Sequence, residues 1–112
     1  MEGNLFSSLL KAHHIIPQWE EIGKVMTRLG ISDMTHNPLF SSLLTQAEHD
    51  IIHAGAGPGG WYNQLWLSGL EKIEQRGLRG NDAANAVIEF IRDEVLPATR
   101  EAFQRGGRPP GY

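Results

Sequence analysis

Cysteine is absent from these 112 residues. That removes disulfides and thiolate ligands, so any metal would have to be held by nitrogen and oxygen. Long apolar runs are also missing. None approaches the ~18–20 residues that cross a bilayer, and the opening "MEGNLFSSLL" lacks the basic region of a secretory signal. The expectation is a chain with no membrane span and no signal peptide. An excess of positive charge is lacking as well: 10 Lys and Arg stand against 13 Asp and Glu, for a net charge of −3. Coating nucleic acid by bulk electrostatics is disfavoured by that balance, but an enzyme that grips a few phosphates locally is not. With 40% hydrophobic and 21% charged residues, the composition fits a soluble globular protein. The length fits one domain with a modest core. We expect that domain over residues 1–105, followed by a flexible tail over 106–112, "GGRPPGY".

Local signals divide the domain. "PQWEEIGKVMTRLG" (17–30) reads as a helix: Pro17 suits a first turn, Glu20 and Glu21 complement the dipole, and Gly30 follows as a stop. Trp19, Ile22, Met26 and Leu29 fall on one face. Upstream, "HHIIP" suggests a brief strand, and "ISDMTHN" (31–37) is its candidate antiparallel partner. Asn37-Pro38 looks like a cap and first turn. Thr45 and Glu48 match a capping box, predicting a helix over about 46–54 stopped by Gly55. "GAGPGG" is a flexible turn. Helices are then expected over about 61–76 and 82–96, with Pro97 interrupting and "ATREAFQR" resuming. The hexapeptide LFSSLL occurs at 5–10 and 39–44, too short a repeat to argue duplication.

The chain holds five histidines, and four fall in two places: the doublet His13-His14 in "KAHHIIPQ" and the pair His49, His53 in "TQAEHDIIHAG". On a helix, positions i and i+4 share a face, so His49 and His53 can reach one metal at roughly 2.0–2.1 Å. Two helical ligands need a third from elsewhere, and the doublet is the obvious source. Neighbours on a strand point to opposite sides. One of the two can bind metal while the other faces the adjoining space, placed to act as a general base.

These residues resemble a known group. "AHHIIPQ" followed by "EHDIIHAG" is similar to the HNH or His-Me finger endonucleases, and within them to AHH-type bacterial toxin nucleases, including predicted myxobacterial lipoprotein toxins. There a doublet followed by Ile-x-Pro-Gln leads, after an inserted helix, to H-x-x-x-H and a Gly/Trp-rich segment like "GPGGWYNQLW". The match covers about residues 11–67. The resemblance implies an α+β, mostly helical fold: a small, treble-clef-like ββα-metal core with a short β-hairpin, an inserted helix and C-terminal helices. It implies that His13, His49 and His53 hold one divalent cation (Zn, Ni, Mn or Mg) while His14 activates water for phosphodiester hydrolysis. DNA is the expected substrate ahead of RNA. A cognate immunity protein is the expected partner, and the expected setting is a delivered bacterial toxin domain acting in the target-cell cytoplasm. Many relatives carry a central Asn on the second strand. Here Asn37 lies twelve residues before His49, so Asn37, His36 or Thr35 is the candidate for that place. Arg76 and Arg79 are candidate phosphate contacts, as are Arg92, Arg100, Arg105 and Arg108. Tyr62 or Asn63 is expected at the site's rim, while aromatics at helical spacing such as Trp61 and Trp66 read first as core.

Two rivals remain. His49-Asp50-Ile51-Ile52-His53 has the zincin spacing with aspartate in place of glutamate. That substitution shortens the reach to a catalytic water and leaves the doublet unexplained. A closed four-histidine site would instead mark a non-catalytic module stabilised by structural zinc, because catalytic sites keep a position open.

Overall fold

The computed structural model describes residues 10–54 and 60–110. Two short strands, β1 (Leu10–His14) and β2 (Ser41–Thr45), form an antiparallel pair. Helix α1 (Glu20–Arg28) is inserted between them, followed by two 3₁₀ turns, Ser32–His36 and Pro38–Phe40. Helices α2 (Gln46–Ile52), α3 (Gly60–Gln75), α4 (Gly80–Phe90) and α5 (Leu96–Arg105) complete an α+β, mostly helical fold. No helix among the described residues is long and apolar enough to cross a membrane.

Several local signals act as expected. Thr45 accepts from the Glu48 amide while the Glu48 carboxylate accepts from the Thr45 amide, a complete capping box at the head of α2. Asn37 caps the second 3₁₀ turn through Leu39 N–H at 3.0 Å. Gly30 takes φ +77° just past α1, a left-handed stop that glycine enters without a Cβ penalty. The α3–α4 connection then covers the end of α1: Gly80 N–H donates to Leu29 O and the Arg79 guanidinium to Arg28 O.

Three expectations need correction. Helix α1 begins at Glu20, not Pro17, because Ile16 and Pro17 are drawn into the interior and the chain stays extended through Trp19. The partner of β1 is not 31–37, which coils into a 3₁₀ turn with Thr35 buried; it is 41–45, within the second LFSSLL and Thr45. Pro97 does not break the helical path. Residues Ile91–Val95 widen into a π turn, with Leu96 N–H reaching back to Ile91 O, and the slack accommodates a proline ring that would otherwise crowd a carbonyl one turn earlier. The first LFSSLL, apart from Leu10, and the turn around Gly55 lie outside the described residues.

The core is built by α1, α3 and α4. Ile22, Val25 and Met26 of α1 pack with Leu65, Trp66, Leu70 and Ile73 of α3 and with Val87 and Phe90 of α4. Phe90 and Trp66 meet edge to face, 5.2 Å between centroids, a favoured aromatic geometry. Their fit depends on Gly69, where an added Cβ would lie 2.2 Å from the Phe90 ring. Gly69→Ala should therefore destabilise the fold by about 1–3 kcal/mol through overpacking, and Phe90→Leu in the same chain should recover part of the loss. Urea midpoints of the three variants test this. An unaltered midpoint for Gly69→Ala would show that the ring yields freely.

Candidate functional site

The strand pair and α2 bring the histidines together. In the β1–β2 register His13 stands opposite Ser42, and His14 opposite Ser41. The doublet then divides. His13 turns toward α2 and α3, its ring 6.4 Å from His53 and 5.5 Å from Tyr62. His14 turns the other way, 5.8 Å from the His36 ring, with its Nε2 at 3.3 Å from the Gln18 amide nitrogen. His53 caps the end of α2, and its N–H still bonds to His49 O at 3.1 Å. Helical spacing is kept, and the His49 and His53 rings lie 4.4 Å apart. A cavity of about 420 Å³ is lined by His13, His14, His49 and His53 together with Trp19 and Tyr62.

Burial sets the charge state. The His13 imidazole is pushed down from an ordinary 6.5 to about 4, first by desolvation and then by repulsion from His53, His49 and His14. His53 is lowered too, by desolvation and by His49, with Asp50 opposing. Near neutral pH both rings are therefore uncharged and keep a free lone pair, the form that binds metal.

Among the described residues, no three His, Asp or Glu side chains stand close enough to hold a metal ion as they are. The donor set suits one in kind, because His13 and His53 are held neutral and the His49 ring lies beside His53. Imidazoles sharing a tetrahedral ion at 2.0–2.1 Å would have centroids about 5 Å apart. The His49–His53 and His13–His53 spacings of 4.4 and 6.4 Å bracket that value.

Other expected residues are placed elsewhere. The Asn37 carboxamide is turned into its own cap, and Thr35, His36 and Asn37 all precede β2, so the second-strand positions facing the doublet belong to Ser41 and Ser42. His36 reaches the site only through His14 and through Gln18, whose amide nitrogen is 3.5 Å from its Nδ1. Tyr62 walls the cavity, but it is 3% exposed and its hydroxyl donates to Ile15 O at 2.5 Å. Burial holds that hydroxyl well above its usual range, so it remains a protonated donor and is not free for a substrate. Arg79 serves the end of α1. Arg76 lines a separate cavity between α3 and α4, and Arg92 pairs with Asp93 at 2.7 Å. Asp50 is exposed and accepts from Gln46 at 2.8 Å; it is not among the residues that line the histidine cavity. Residue spacing did not point to Gln18 or Trp19 as site residues. Both follow Pro17, and only the observed delay in α1 sets them beside the doublet.

Comparison with known proteins adds no neighbour: no family model, no curated protein and no solved structure matches this chain.

The lowered His13 gives a pH dependence with a definite sign. Folding favours the neutral ring, so below pH 6.5 the unfolded chain gains a proton that the folded one refuses. Stability should fall as pH drops from about 6.5 toward 4, after which the difference is spent. With chelator present, urea midpoints over this window should slope for wild type and slope less steeply for His13→Asn, the remainder coming from His53. Equal slopes would mean that His13 is not held neutral by the fold.

Proposed function

We propose that this chain is a metal-dependent endonuclease domain that hydrolyses phosphodiester bonds of nucleic acid, DNA ahead of RNA, on a ββα-metal core made by β1, β2 and α2. The observation that carries this reading is the division of the doublet: His13 faces the His49–His53 pair while His14 faces Gln18 and His36, and all four doublet and pair histidines border one cavity.

His13, His49 and His53 would hold the ion. Three neutral nitrogens suit Zn²⁺, Ni²⁺ or Mn²⁺ better than Mg²⁺. When bound, the ion supplies Lewis-acid polarisation of the phosphate and stabilises the departing 3′ oxygen. His14 takes a proton from the attacking water as its oxygen bonds to phosphorus and the bond to the 3′ oxygen breaks. The Gln18 amide lies against the His14 Nε2 and yields that lone pair to the water, or presents its carbonyl oxygen and leaves Nδ1 as the base, while His36 stands behind. A zincin reading has less support, because Asp50 is turned to Gln46 and away from the cavity lining. A closed structural-zinc site has less support too, since His14 is turned toward Gln18 and His36 rather than toward His49 and His53. The motif's resemblance to toxin nucleases further suggests the catalytic end of an interbacterial effector, delivered into a target cell and restrained in its producer by an immunity protein.

The test is paired on one preparation. His14→Ala should keep about one equivalent of metal yet lose roughly 10²–10⁴-fold in phosphodiesterase rate, the usual range for a general base. His13→Ala should lose metal affinity and, with it, thermal stability. If both variants keep metal and full activity, the doublet is structural and the nuclease reading fails.

A further inference from the structure

The histidine cavity does not end at the histidines. It shares Pro17, Gln18 and Trp19 with a second cavity of about 310 Å³, bordered further along by Gly23, Thr27 and His36. That cavity in turn shares Glu20, Gly23 and Thr27 with a shallower concavity beside Lys24 and Arg28. Concavities with shared walls therefore follow one another from the site along one face of α1, and together they form its groove.

Resting on the nuclease reading, we propose that this groove, from Trp19 over Gly23 to Thr27, is the subsite for the nucleoside that flanks the scissile phosphate. Gly23 lies in the interior of α1, where glycine weakens a helix relative to alanine. Nothing in the protein requires it: an added Cβ would meet no atom within 4 Å, and Gly23 is not among the glycines at positive φ. Its missing side chain keeps the floor of the groove low where two concavities join. Trp19 stands at the entrance. It is half-buried and walls both cavities, whereas Trp61 and Trp66 are 3% and 0% exposed. An accessible indole beside a phosphodiester site is a stacking platform for a base of any sequence. Polar groups for a base edge or sugar follow: the Gln18 amide, the His36 ring and the Thr27 hydroxyl, which donates to Gly23 O at 2.9 Å and keeps acceptor capacity. The rim favours a neutral base and sugar over another phosphate. Its acids Glu20 and Glu21 lie 3.8 and 3.4 Å from Lys24, and Arg28 is held by Glu74.

The experiment uses the whole chain with Zn²⁺, and a phosphorothioate oligothymidylate as the binding probe. Quenching of tryptophan fluorescence reports binding, because Trp19 is the most accessible of the three indoles. Wild type should quench on titration. Gly23→Leu, which fills the groove without a clash, should bind at least about five-fold more weakly, in keeping with the loss of one stacked base, at an unchanged or raised melting temperature. Gly23→Ala should stay close to wild type in binding, and by fluorescence anisotropy of a labelled oligothymidylate, which needs no indole as reporter, Trp19→Phe should bind while Trp19→Leu does not. In hydrolysis, Gly23→Leu should raise KM for the oligonucleotide with kcat held, and leave the rate on bis(p-nitrophenyl) phosphate unchanged. Wild-type affinity in Gly23→Leu, or no quenching in wild type, overturns the subsite. Absence of hydrolysis in wild type defeats the nuclease reading, and the binding titration still decides the groove.

Discussion

Trp61 and Tyr62, neighbours at the head of α3, donate to backbone carbonyls of two remote segments: the indole N–H to Ile51 O at 2.8 Å, the phenol O–H to Ile15 O. Ile51 lies in the last turn of α2, between His49 and His53, and Ile15 follows the doublet directly. Successive helical residues point about 100° apart, which lets one turn of α3 hold both halves of the histidine site. Each bond contributes only about 1 kcal/mol net, but a buried indole N–H or phenol O–H left without its acceptor costs about 1–3 kcal/mol. The approach is tight. Gly60 sits where an added Cβ would be 2.7 Å from Ala54 O, so Ala54 and the start of α3 tolerate no side chain between them. With these constraints, imidazoles far apart in sequence are held on a frame shared by β1, α2 and α3.

That frame also governs charge. Crowding His13 against His53 and Tyr62 removes it from water and places it within reach of two other imidazoles. Protonating such a group would set like charges together in a poorly solvated space. The fold therefore favours neutral His13 and His53 rings, which have lone pairs to offer. Metal binding would complete what packing begins, by replacing mutual repulsion with shared ligation. The same frame leaves His14 on the opposite side of the strand, against Gln18 and His36. Strand alternation thus turns adjacent histidines into two different surroundings, the separation that the proposed ligand and base roles need.

What could be read from sequence followed the range of the interactions. The capping box at Thr45–Glu48, the Asn37 cap and the i, i+4 histidines depend on residues a turn apart, and each forms as its spacing dictates. The second strand did not announce itself, because Ser41–Thr45 has no clean alternation and gains its ladder only from β1, some thirty residues away. Ile31 and Thr35 in "ISDMTHN" carry β-branched side chains, yet Met34 N–H closes onto Ile31 O and the segment coils. Pro17 reads locally as a helix start, but burial of Ile16 and Pro17 postpones α1. For the same reason Tyr62 can be named as a rim residue but not as a hydrogen-bonded wall, and Trp19, read as part of a core face, packs against the core while it also half-faces a groove. The strand pair followed by a helix is observed, and the metal chemistry proposed for it rests on how the rings respond to an ion.

The most direct measurement of that response is nitrogen NMR of histidine-labelled protein, titrated with Zn²⁺ across pH. The account requires three imidazoles, His13, His49 and His53, to move together to metal-bound shifts at one equivalent and to cease titrating, while His14 and His36 keep free-ring shifts. Recruitment of His14 in place of His13, or independent titration of all five rings in the presence of zinc, would contradict it.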